Sequence, residues 1–91
     1  ESPAYSVLRI LLKKKAKITV CDPLVHTFTV DGHTFECMPQ VTRKAVESSD
    51  AVLILTDHTA IDYRLVARHA DIIVDTRNAM RGIRTRKVFK L

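Results

Sequence analysis

Ala51-Val52-Leu53-Ile54-Leu55-Thr56 runs apolar without a break and turns polar at Asp57-His58. A short apolar run ended by turn formers reads as a central strand covered on both faces. Working forward, Asp62 can cap a helix over residues 63–69 that buries Leu65 and Val66. Ile72-Ile73-Val74 is a second apolar strand, stopped by Asp75-Thr76-Arg77-Asn78, and Val88-Phe89-Lys90-Leu91 is a last short one. Working back, a short helix from Val41 or Thr42 to about Ser48 carries Ala45 and Val46. Thr27-Phe28-Thr29-Val30 and His33-Thr34-Phe35 flank Asp31-Gly32, a strong two-residue hairpin signal. Lys17-Ile18-Thr19-Val20-Cys21 alternates polar and apolar as a strand does, and Asp22-Pro23 stops it.

Ahead of these, Ser2-Pro3 opens a helix with a hydroxyl N-cap and a proline at the first helical position. Ala4, Val7, Leu8, Leu11 and Leu12 fall on one face, and Lys13-Lys14-Lys15 closes the helix against its negative dipole end. Strands alternating with helices predict an α/β fold, a Rossmann-like parallel sheet with flanking helices. The first helix has no strand ahead of it, whereas in a doubly wound sheet such a helix follows a strand. Residues 1–91 are therefore expected to be a single domain that lacks its first strand. A gap would then open between Lys17–Cys21 and Ala51–Thr56, leaving strand edges unpaired.

The 91 residues are 46% apolar and 27% charged, an ordinary globular composition that excludes disorder and collagen-like repeats, and no apolar run approaches the ~20 residues of a membrane helix. Two cysteines, Cys21 and Cys37, are too few for a disulfide framework and point to a reducing compartment. The net charge of +5 is unevenly spread. Residues 76–91 hold Arg77, Arg81, Arg84, Arg86, Lys87 and Lys90 with no acid, and the remainder sums to −1. Nucleic-acid binding fits that charge and little else, because aromatics are 5% and no known nucleic-acid motif is present.

In open parallel sheets, ligands bind beyond the carboxyl ends of the strands. Those ends read Cys21-Asp22-Pro23, Thr56-Asp57-His58 and Asp75-Thr76-Arg77-Asn78. Asp22, Thr56 and Asp57 read first as turn and cap residues. Arg77 directly follows a buried strand, and its planar fork suits a phosphate or carboxylate; the competing reading is an ion pair with Asp75 or Asp57. Two glycines, Gly32 and Gly82, cannot build a Gly-rich phosphate cradle. Cys21, His26, His33 and Cys37 lack the tight ligand pair that makes a zinc motif specific, so no metal site is expected. His58 and His69 read as a turn and a helix-end residue, and no catalytic residue is assigned.

Glu1-Ser2-Pro3-Ala4, Asp22-Pro23, the stretch Ala51–His58 and Val74-Asp75-Thr76-Arg77-Asn78-Ala79 together resemble the C-terminal domain of the UDP-glucose/GDP-mannose dehydrogenase family. Lys87-Val88-Phe89-Lys90-Leu91 resembles its closing strand. The variant is most similar to UDP-N-acetylglucosamine and UDP-N-acetylmannosamine dehydrogenases. The resemblance implies a nucleotide-sugar-binding domain of a cytoplasmic, homo-oligomeric, NAD-dependent UDP-sugar 6-dehydrogenase that makes polysaccharide precursors. Such enzymes oxidise the sugar C6 alcohol to a carboxylate in two steps through a cysteine-linked thiohemiacetal. That cysteine lies in a Gly-rich motif absent here, so Cys21 and Cys37 do not inherit its role. Arg77 falls on the family arginine that contacts the UDP-sugar, and Asp75 and Asn78 surround it as further substrate-site residues. The family's cofactor domain and a strand and arginine before Glu1 are not in this sequence, so the piece alone is expected to be inactive. Where the family commonly caps the first helix with glycine, this chain has Lys14-Lys15-Ala16. The alternative from another class is a stand-alone anion- or RNA-binding α/β module.

Overall fold

The computed structural model describes residues 3–90, which cluster into two compact units, one reaching Pro39 and one starting at Gln40. The first unit opens with helix α1, Pro3–Lys13, which buries Leu8. The cap expected on Ser2 lies outside the described residues. At the other end Lys15 sits at φ 60°, with its amide donating to Leu12 O at 3.0 Å and that of Ala16 to Leu11 O at 3.0 Å. These two bonds form a Schellman cap, in which a lysine holds the left-handed position usually given to glycine. The Cβ there costs about 1 kcal/mol.

Strands β1, Thr27–Val30, and β2, His33–Glu36, pair antiparallel, with Val30 opposite His33. Asp31 and Gly32 have φ 49° and 79°, the two positive angles of a type I′ turn, as the Asp-Gly pair predicts. Val30 and Phe35 are buried, and Phe28 stacks on Tyr5 of α1 with ring centroids 4.5 Å apart.

Lys17–Cys21 does not become the expected strand. Among the described residues it forms only an isolated parallel bridge, Cys21 to Met38. The Met38 amide donates to Val20 O at 2.9 Å and that of Asp22 to Met38 O at 2.9 Å. Asp22 Oδ1 accepts from Leu24 N at 2.8 Å and Val25 N at 3.1 Å, bending the chain away.

In the second unit, helix α2 (Arg43–Glu47) is followed by β3 (Val52–Ile54), α3 (Tyr63–His69), β4 (Ile73–Asp75) and β5 (Val88–Lys90). The three strands form an all-parallel sheet in the order β3-β4-β5, so the unit is α/β and Rossmann-like. Thr42 Oγ1 caps α2 through Ala45 N, and Asp62 Oδ1 caps α3 through Leu65 N, each at 3.1 Å. Val46, Val66 and Ala70 from the helices pack with Ile54, Ile73, Ala79 and Met80 into one buried cluster.

The register corrects one expectation. Ile73 and Val74 belong to the central strand, while β3 is an edge of the sheet. Pairing of Val52 with Ile73 and Ile54 with Asp75 aims those residues at the helices. Leu53, Val74 and Phe89 then share the opposite face, where Leu53 is 40% and Phe89 57% exposed. A continuous apolar run cannot by itself say which of its alternating faces is covered. Both cysteines are free, and among the described residues no helix is long and apolar enough to cross a membrane.

Candidate functional site

The carboxyl ends of β3 and β4 lie side by side. Thr76 N and Thr76 Oγ1 both donate to Ile54 O, at 3.1 and 2.7 Å, which carries the strand register one residue into the loops. Beyond that point each exit holds an aspartate, and the two are used differently.

Asp75 is 1% exposed and closes β4. Its Oδ1 accepts from Arg77 N at 3.1 Å and Ala79 N at 3.0 Å, and its Oδ2 from Met80 N at 2.8 Å. Burial alone would push this carboxyl up, but the amides of Met80, Ala79, Arg77 and Asn78 outweigh it and hold Asp75 below the ordinary carboxylate range. The loop is thereby wound around a fixed anion. Asn78 takes φ 57°, a left-handed angle that asparagine tolerates better than most residues.

Asp57, at the β3 exit, faces outward. Its Oδ2 accepts from Arg81 NH1 at 2.8 Å, an ion pair whose side chains are 29% and 62% exposed. The same nitrogen donates to Asn78 O at 3.0 Å, so Arg81 bridges the two exits. The Arg81 guanidinium holds Asp57 below its usual range. The Tyr63 hydroxyl lies beside this carboxylate and accepts from His58 N at 2.9 Å. Burial, with Asp57 beside it, lifts the Tyr63 hydroxyl above its ordinary value even though the His58 amide favours the phenolate.

Arg77 stands between these anchored points. It is exposed, and among the described residues its guanidinium has no hydrogen bond or ion pair. Both aspartates weighed as its partners are engaged elsewhere, Asp75 by backbone amides and Asp57 by Arg81. Arg77 lines neither of the two adjacent open clefts. One, of about 390 Å³, is bordered by Asp57, Tyr63, Arg64 and Arg81. The other, of about 480 Å³, runs along Arg81, Arg84, Thr85 and Lys90.

The three site residues read from the sequence are thus adjacent but unlike. Arg77 presents a free cation, Asn78 supplies a left-handed turn and a carbonyl for Arg81, and Asp75 turns both oxygens inward. Asp57 is neither a turn nor a helix cap; the cap of α3 is Asp62. Arg81, Tyr63 and their link to Asp57 escape sequence reasoning. The only available signal is the parallel register, which brings residues 24 apart to neighbouring strand exits.

A model of the UDP binding domain of the UDP-glucose/GDP-mannose dehydrogenase family matches residues 1–82. The chain belongs to that family. The match covers the first unit and the second as far as Gly82, including the turn around Asp75; β5 lies beyond it. No curated protein and no solved structure matches the chain.

Proposed function

We propose that residues 1–91 form the UDP-sugar-binding domain of an NAD-dependent nucleotide-sugar 6-dehydrogenase, with Arg77 as its phosphate contact. The observation that carries this reading is the unpartnered guanidinium of Arg77 on a loop wound around Asp75. The loop fixes the backbone that carries this cation, and its fork can make two parallel hydrogen bonds to a phosphate. Asp75 and Asn78 serve the site by shaping the loop, and Arg84 and Lys90 along the neighbouring cleft add attraction for the pyrophosphate.

The chemistry itself belongs to other parts of the enzyme. Gly32 lies in a hairpin turn and Gly82 in the loop after β4, so neither supplies the strand-to-helix turn on which a dinucleotide pyrophosphate rests. NAD would supply hydride acceptance from a separate domain. Cys21 and Cys37 both have thiols pushed up, chiefly by burial and then by Asp22, which disfavours the nucleophilic thiolate. The sugar is proposed to be N-acetylglucosamine or N-acetylmannosamine, the setting a cytoplasmic homo-oligomer, and the product a polysaccharide precursor.

Calorimetric titration of UDP, UDP-N-acetylglucosamine, UDP-N-acetylmannosamine and mixed RNA into the full-length protein tests this. Saturable binding of the uridine ligands, with NAD reduction when a UDP-sugar is supplied, is expected. Steeply salt-dependent RNA binding with no preference for uridine nucleotides would favour an RNA-binding module instead.

A further inference from the structure

The Asp57–Arg81 pair lies on the surface, where an ion pair adds little to stability. Its placement gives it another use. Asp75 is saturated by the amides of its own loop, which leaves Asp57 as the outward-facing carboxylate at these two strand exits. The Thr76–Ile54 bonds keep the β3 exit alongside the β4 exit that carries Arg77. An unneutralised Asp57 there would repel a phosphate arriving at Arg77 and would compete with that phosphate for the Arg77 fork. Arg81 prevents both effects, because one of its nitrogens holds Asp57 while also bonding the carbonyl of Asn78, next to Arg77.

We infer that Arg81 is a positioning residue: it occupies Asp57, so that Arg77 remains available to the phosphate. The inference rests on the reading of Arg77 as the phosphate contact. It makes Asp57 harmful to binding only when Arg81 is gone, a dependence that a plain structural role does not have.

The test is UDP affinity and thermal midpoint in the full-length protein for Arg81→Ala, Asp57→Asn, the double variant and Arg81→Lys. Arg81→Ala is expected to weaken UDP binding about tenfold with an unchanged midpoint. Asp57→Asn should stay within about threefold of wild type, and the double variant should return to that level because no carboxylate remains to be held. Arg81→Lys keeps the charge and should also stay within about threefold. A double variant as weak as Arg81→Ala would show that Arg81 acts other than through Asp57 and would overturn the inference. Unchanged affinity in Arg81→Ala, or weakening matched by a fall in midpoint, would overturn it as well. If the wild type does not bind UDP, the reading of Arg77 fails instead, so the two failures are distinct.

Discussion

Two neighbouring strand exits carry the same functional group in opposite employment. At the end of β4, Asp75 is buried and receives three backbone N–H groups, so its charge is consumed in building a loop. At the end of β3, Asp57 is partly exposed and its charge is cancelled by Arg81 across the gap between loops. A carboxylate beside an anion site is tolerable in either form, wrapped by amides or matched by a cation. Neither carboxylate is paired with Arg77, which follows Asp75 in the same loop.

The largest effect should come from breaking the inner carboxylate. Asp75→Asn replaces one acceptor oxygen with an NH₂ group that faces an amide already pointing at it, and it removes the charge from all three bonds. We expect a loss of about 2–4 kcal/mol in unfolding free energy, measured by urea denaturation. The loop should also become more susceptible to proteolysis.

Acid sharpens the same contrast. Because Asp75 is held below its unfolded value, the unfolded chain binds the extra proton first as pH falls. The stability it contributes is present above the ordinary carboxylate range and is lost as pH drops through its lowered folded value. Asp75→Asn should be less stable near neutrality and show a shallower acid decline than wild type, read from unfolding curves taken across that range. An equal decline in both would place the acid-sensitive group elsewhere. The smallest effect belongs to the outer carboxylate, since Asp57→Asn should leave the thermal midpoint where it is. A large drop there would mean that the two exits are not the contrasting pair described.

Much of this fold was legible because local chemistry and fold agree. Asp31-Gly32 can satisfy two positive φ angles in succession, Asp62 precedes a helical face, and Ile73 sits in an apolar run that becomes the middle of the sheet. Lys17–Cys21 had the alternation of a strand, but pairing is a property of the neighbour, and the neighbour offers one bridge at Met38. Ala51–Thr56 looked central because apolar runs report burial in general, whereas the face bearing Leu53 is left open. Arg77 can be singled out from its position after a strand, and it is exposed on the loop that follows β4. The role of Asp75 depends on a loop folding back over it, and the Asp57–Arg81 bridge depends on register between strands, and neither is written in a short window of sequence.

The central claim is that Arg77 is held free for a phosphate. It is tested most directly by comparing UDP affinity of the full-length wild type with Arg77→Ala and Arg77→Lys, alongside their thermal midpoints. The account predicts about 10- to 100-fold weaker binding for Arg77→Ala, partial recovery for Arg77→Lys, which keeps the charge without the fork, and unchanged midpoints. UDP affinity unaltered in Arg77→Ala would contradict it.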